Sequence, residues 1–352
     1  MNTLQTIEQM RQSPYVKEKK LQNGISSFNF THKAFWNSHW TNATVKARGL
    51  FIDTVNGKIK ARSYNKFFTI GERRETELDI LAENFEYPVK AYVKYNGYLG
   101  ICSGEKDEKG EYCLWCASKS TDQGWYAARF EDLLRESLDG KCEYSDETRY
   151  QRFARDLYES CCTAVFEVID PIQDPHIIGY DRPQVILLDL IINDDEDIDM
   201  LTKSREVVEF YNATWKLPLK ELAYIIHNAE ELYHWYNLVT GFDYTYDGQH
   251  IEGFVLEDLD CHMVKVKTAY YLYWKSFRPV IHKIFKGEWG TGNTAELVQK
   301  NVERYHLDPN LYDNVDNFIN WLIDKWWHGE PEPSIVEARY KYLEECNDDL
   351  LY

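Results

Sequence analysis

Long apolar runs are missing from this 352-residue chain. No stretch approaches the roughly 20 residues that a bilayer-spanning helix needs. The opening MNTLQTIEQMRQS holds no apolar core of the kind a secretory leader requires. The expectation is a soluble, cytoplasmic protein with no membrane partner. Low-complexity segments, disordered tails and internal repeats are also missing. There is no G-x-x-x-x-G-K-[ST], which excludes a fused P-loop kinase from the reading. The ten histidines show neither metalloprotease spacing nor paired H-x-T motifs. Eight cysteines make no framework: Cys113 and Cys116 form a lone C-x-x-C, and Cys161 and Cys162 are neighbours. EYCLWCAS reads as an apolar strand, so buried thiols in a reducing compartment outweigh a structural zinc site.

What is present is apolar bulk and unevenly spread charge. Hydrophobic residues make up 44% and aromatics 15%, enough for a sizeable core. A net charge of −18 argues at first against a nucleic-acid binder. Its distribution alters that: residues 1–100 carry 15 Lys+Arg against 9 Asp+Glu, a balance of +6, which leaves −24 on the remainder. A basic first third on an acidic body allows one cationic groove. The acidic surplus itself is explained most simply by solubility.

The pattern of residues predicts an amphipathic helix over 4–20, then β-rich text to 70 with a VNGK hairpin at Val55–Lys58. A helix follows in RRETELDILAENF, a strand in YCLWCASKS, and polar helix over 129–160. CTAVFEVID and PQVILLDLIIN read as buried strands. The carboxylates of Asp194–Asp199 read as a solvated turn in preference to a cation site. Helices are expected over Ser204–Trp215 and Leu219–Leu238, and strands in HIEGFVLED and HMVKVKTAY. GTGNT at 290–294 reads as a loop, since no strand runs into it. Later, Val315, Phe318, Ile319, Leu322 and Trp326 form an apolar stripe. Ser334 and Glu337 fit a capping box. The expected division is 1–274 as an α+β domain and 275–352 as a small all-helical domain.

The chemistry lies in an ordered series. Arg48 precedes Lys66 and Phe68. K-Y-N-G follows at Lys94, Asn96 and Gly97, where Asn-Gly marks either a hairpin or a turn that holds Lys94 at a pocket mouth. Lys119 lies in ASKSTD, F-E falls at Glu167, E-G-F-V at Glu252, and K-V-K at Lys265 and Lys267. The last two share one strand face while Val264 and Val266 take the other. The series, with ARGLFID and ARSYNKFFTIGE upstream, resembles the ATP-dependent RNA ligase family of the covalent nucleotidyltransferase superfamily: the phage tRNA-repair ligase and the adenylyltransferase domain of fungal and plant tRNA ligases. The resemblance covers Val45 to Tyr271. Most of the superfamily has K-x-D-G; fungal and plant tRNA ligases share the K-x-N-G found here.

The resemblance implies an ATP-grasp-like nucleotidyltransferase (ligase) domain of antiparallel sheets with helices. It implies that Lys94 attacks the α-phosphorus of ATP, forming a P–N bond as pyrophosphate leaves. AMP then passes to an RNA 5′-phosphate and is displaced by a 3′-hydroxyl. Glu167 would bind the ribose, and Glu252 would hold Mg²⁺ or Mn²⁺. Lys265 and Lys267 would contact the α-phosphate, and Arg48, Lys66 and Lys119 the outer phosphates. Phe68 and Tyr271 are either nucleotide neighbours or core residues. Gly97 would let backbone approach a phosphate. A free lysine, with a pKa near 10.4, is neutral in only about one molecule in a few thousand at pH 7, so surrounding cations would have to supply roughly 4 kcal/mol. The implied partner is RNA with 5′-phosphate and 3′-hydroxyl ends, including broken tRNA, with a separate kinase or phosphatase to heal the ends. Lys275, Arg278, Lys283 and Lys286 suggest that the helical tail docks RNA. The rival readings are a non-catalytic RNA-binding relative and a DNA-sealing or GTP-using enzyme.

Overall fold

The computed structural model describes residues 3–143, 145–195, 200–288, 296, 298–300, 303 and 312–346. The chain forms two compact units. Unit 1 comprises Met1–Phe67, Gly97–Ile169 and Pro183–Lys220; unit 2 comprises Phe68–Asn96, Asp170–Arg182 and Glu221–Tyr352.

Unit 1 holds two four-stranded antiparallel sheets. The first runs in chain order through β1 (Val16–Lys20), β2 (Ile25–Phe30), β3 (Leu50–Asp53) and β4 (Lys58–Arg62). The expected hairpin joins β3 to β4: Asp53 Oδ1 accepts from the Val55 and Asn56 amides, and Gly57 takes φ +69°. The helix expected over 4–20 stops at Gln12 (α1, Thr3–Gln12), because Pro14 disfavours helix before it; VKEKK becomes the edge strand β1.

The second sheet has the order β10 (Gln184–Ile192), β9 (Cys162–Ile169), β7 (Tyr98–Lys106), β8 (Tyr112–Ser118). The polar helix expected over 129–160 is two helices, α5 (Trp125–Ser137) and α6 (Arg149–Glu159), parted at Gly140 with φ +105°. They bury Phe130, Leu134, Phe153 and Leu157 with Phe166 and Trp215. All eight cysteines are free thiols. Cys113 and Cys116 sit three apart on β8, so strand alternation turns them to opposite faces. Among the described residues no group of three His, Cys, Asp or Glu is placed to hold a metal. Asp195 instead supports backbone: its carboxylate accepts from the Ile59 amide at 2.7 Å. Residues 196–199 of the acidic run, and GTGNT, lie outside the described residues.

Unit 2 contains a five-stranded sheet in the order β11 (Leu222–Ile226), β6 (Val89–Lys94), β12 (Gly253–Glu257), β13 (Met263–Lys267), β5 (Phe68–Thr69). It is antiparallel except for the short β13–β5 pair. LAYII forms edge strand β11, not helix; the helix begins at α8 (Ala229–Val239), where Asn228 caps the Glu231 amide. Asn96–Gly97 is no hairpin, since β6 and β7 belong to different sheets and the chain changes unit there. Helix α9 (Ala269–Phe285) runs unbroken through positions 274 and 275. With helices Tyr312–Trp327 and Ile335–Cys346 it buries an aromatic core of Tyr273, Trp274, Phe277, Phe318 and Tyr342. The stripe residues Val315, Phe318, Ile319 and Leu322 all lie in it, with Trp326 packed at its margin. Ser334 and Glu337 make the reciprocal bonds of a capping box, 2.9 and 3.2 Å. Among the described residues no helix is long and apolar enough to cross a membrane.

Candidate active site

Alternation along three strands separates the two faces of the unit 2 sheet. Ala91, Val93, Phe254, Leu256, Val264 and Val266 enter one apolar cluster with Leu232 and Trp235 of α8. The residues between them carry the charge. Lys94 and Lys267 both pair in register with Gly253, so the two lysines flank a position without a side chain. Gly253 takes φ +148°, and a Cβ there would lie 2.0 Å from the Val266 carbonyl oxygen. Only glycine fits.

Glu252, which is 4% exposed, stands between those lysines. Its Oε2 lies 3.1 Å from Lys94 Nζ and its Oε1 lies 3.3 Å from Lys267 Nζ. Burial alone would raise this carboxyl, but the charges and hydrogen bonds of Lys94 and Lys267 bring it down to about 2. Asn96 completes the group. Its Nδ2 donates to Glu252 Oε2 at 2.8 Å, and its Oδ1 accepts from the Ile177 and Ile178 amides at 2.8 and 3.1 Å. Its own amide donates to the Tyr180 hydroxyl at 2.8 Å. Two backbone donors on one side and a carboxylate on the other fix the orientation of the amide. An aspartate would set a second carboxylate against Glu252, which gives a physical reason for asparagine here.

Tyr180 carries no signal as a site residue in the sequence, and Arg339 carries only its position. Arg339 lies at the core spacing of Ile335 and Leu343, so a cation on an apolar stripe was the available clue. It is 2% exposed, and its Nη1 donates to the Ile177 carbonyl at 2.8 Å. The Tyr270, Trp274 and Tyr340 rings surround its guanidinium at 5.2–5.6 Å. A hydrogen-bonded path thus runs from Arg339 through the Ile177 peptide and Asn96 to Glu252 and Lys94.

Lys275, read in the sequence as a docking cation, belongs electrostatically with this group. Though the residue is exposed, crowding by protein atoms and the charge of Lys267 push its pKa down to about 8. Tyr271 is buried with its ring 4.8 Å from Lys267 Nζ and 5.6 Å from Lys275 Nζ. Lys265 lies two residues before Lys267 and pairs with Val255 and Thr69. Phe68 is buried, in register with Val264 and not with the lysines, and stacks under Arg73 at 4.6 Å.

Unit 1 gathers a different set. Arg48 donates to Ser63 Oγ at 2.9 Å. Burial lowers the pKa of its guanidinium, and the charge of Glu167 opposes this. Glu167 Oε1 accepts from the Gly97 amide at 2.8 Å. A Cβ on Gly97 would meet the Val168 carbonyl oxygen at 2.0 Å, so the glycine answers to strand packing within the protein. Lys119 is pushed down to about 8 by the protein around it and then by Arg48 and Lys66, although the residue keeps solvent access. Lys66 lies 5.3 Å from the Trp40 ring centroid.

The antiparallel sheets with their flanking helices match nucleotidyltransferase-type ligase folds. The family model for RNA ligase matches residues 46–271, and the chain belongs to that family. A tRNA ligase of Candida albicans is 26% identical over 345 residues, covering 86% of this chain and 38% of that protein. The chain thus spans well under half of the curated relative it matches. Two solved structures share the fold with a TM-score of 0.51 and 13% identity. An archaeal ATP-dependent RNA ligase covers 97% of this chain and 78% of its own; an Aquifex aeolicus protein assigned as an ATP-dependent DNA ligase covers 98% and 80%.

Proposed function

We propose that this chain is an ATP-dependent RNA ligase that joins 5′-phosphate to 3′-hydroxyl ends through AMP carried on Lys94. The observation that carries the reading is the Lys94–Glu252–Lys267 arrangement, with Lys94 3.1 Å from Glu252 on the polar face of the sheet. For the amine to attack the α-phosphorus, Lys94 must give up both its proton and its pair with Glu252. Lys267 and Lys275 favour that loss and balance the charge on departing pyrophosphate. Lys265 and Lys267 contact the α-phosphate in this reading, and Asn96 keeps Glu252 aimed.

Glu252 is the carboxylate that would hold a divalent ion, for which we take Mg²⁺. With no cluster of three protein ligands among the described residues, phosphate oxygens and water would complete its shell, as Mg²⁺ commonly requires. When bound, such an ion neutralises phosphate charge. In unit 1, Arg48, Lys66 and Lys119 are assigned to the outer phosphates and Glu167 to the ribose. Broken tRNA is the substrate we infer from the named relative, its ends healed by a kinase or phosphatase activity supplied elsewhere. Residues 275–352 would form a helical domain that helps dock that RNA.

The test is incubation with α-labelled ATP and Mg²⁺. The parent should take up AMP covalently at residue 94, located by mass, and Lys94→Ala should take none. Labelling of Lys94→Ala to the parent's level would sink the assignment. Labelling by GTP alone would favour a capping-like enzyme, and RNA binding without any labelling a non-catalytic relative.

A further inference from the structure

In unit 1 a second set of residues adjoins Lys66 and Lys119, the cations assigned above to the outer phosphates. Helix α2 (His32–Trp36), capped where Thr31 Oγ1 accepts from the Ala34 amide, buries only Ala34. It leaves Phe35 51% and Trp36 78% exposed. Around it, rings and cations alternate. Phe35 and Phe30 meet the Trp40 ring edge-on at 6.5 and 5.1 Å. Lys66 lies over Trp40, and Lys119 lies 4.9 Å from Phe30. His32 faces Trp36 at 6.0 Å, and Tyr15 stacks on His39 at 3.9 Å with Lys33 5.5 Å above it.

Charge decides what this surface suits. Residues 1–67 hold eleven Lys+Arg against three Asp+Glu, a balance of +8 within a chain of net −18. Three of these cations, Lys17, Lys19 and Lys20, are exposed on edge strand β1. An apolar partner would use the rings and waste the cations. A single-stranded nucleic acid uses both, stacking bases on rings and setting phosphates on lysines.

We propose that Phe35, Trp36 and Trp40, with Lys33, form a stacking platform for the single-stranded RNA beside the break. The choice of RNA rests on the ligase reading above; the platform itself rests on this surface. Trp40 and Phe30 link it to Lys66 and Lys119, so the bound strand's phosphates track toward those cations.

The test compares the parent chain, Phe35→Ala/Trp36→Ala, Trp36→Tyr and Lys33→Gln in filter binding to a short 5′-phosphorylated single-stranded oligoribonucleotide across a salt series. The double variant should bind on the order of tenfold more weakly or worse. Trp36→Tyr, which keeps a stacking face, should bind like the parent. Lys33→Gln should lower the salt slope by about one. AMP uptake from ATP, which needs no RNA, should be unchanged in all three variants. Parental RNA affinity in the double variant would overturn the platform. So would loss of self-association by sedimentation with RNA binding intact, which would mark a contact between copies. A parent that takes up no AMP would defeat the ligase reading instead, while the RNA comparison still decides the platform.

Discussion

In unit 2 the buried Glu252 carboxylate sits between Lys94 and Lys267, whereas in unit 1 Arg48 and Lys66 act on Lys119, with Glu167 as the carboxylate acting on Arg48. The first group is arranged around a buried carboxylate that Asn96 holds in place. In the second, burial lowers Lys119 first and the charges of Arg48 and Lys66 lower it further. Two electrostatic regimes follow. A carboxylate buried between two lysines fixes their geometry, while cations crowded on one another are relieved by an incoming polyanion.

The sharpest way to break this contrast is Glu252→Gln. It strands two lysines without their carboxylate, and truncating one side of a buried pair costs about 3–5 kcal/mol. Thermal unfolding should show that loss, and AMP uptake should fall at least a hundredfold. Glu167→Gln should cost clearly less stability, and equal losses would erase the distinction. Acid should reveal the same residue. A carboxyl lowered to about 2 contributes stability that is full above the ordinary carboxyl range and is lost as pH falls toward 2. Glu252→Gln should flatten unfolding curves across that window; an unchanged slope would show that Glu252 is not the group responsible.

Next in size is Asn96→Asp, which sets two carboxylates at the present 2.8 Å contact and removes the donor. A stability loss of about 2–3 kcal/mol is expected. A variant as stable as the parent would refute the positioning role of the amide. Arg339→Met should then cost about 1–3 kcal/mol. It should slow AMP uptake while leaving the ATP concentration dependence nearly unchanged, with partial rescue by Arg339→Lys. A shift confined to ATP affinity would contradict the path through Ile177.

The smallest effect belongs to pH. Lys119 and Lys275, both lowered to about 8, are charged below that value and lose charge as pH rises through it. ATP binding should therefore weaken several-fold between about pH 7 and 9. Lys119→Arg should remove the unit 1 share of that loss, and an identical profile would show that Lys119 does not grip the nucleotide.

Much of the candidate site was legible before folding, because its charged residues lie in short strand-borne motifs. KVK placed two lysines on one sheet face, EGFV placed glutamate beside the needed glycine, and both became neighbouring strands. Other parts were hidden. LAYII was read into a helix because an edge strand joined to a helix shares its apolar content, and only pairing with β6 distinguishes them. The Asn-Gly turn signal at 96–97 was real, yet its two strands entered different sheets. Gly97 proved to be required by the Val168 carbonyl, a neighbour seventy-one residues away in the chain.

By itself the sequence determined the family, the alternation that sorts lysines from apolar residues, and the basic character of the first third. These are local properties: residue type, period and count. Tertiary structure alone decided that Asn96 bonds both Glu252 and the Ile177 and Ile178 amides, and that Arg339 reaches the same peptide from the last helix. Such contacts join positions more than eighty residues apart, and no spacing along a chain encodes which distant partner satisfies a buried polar group.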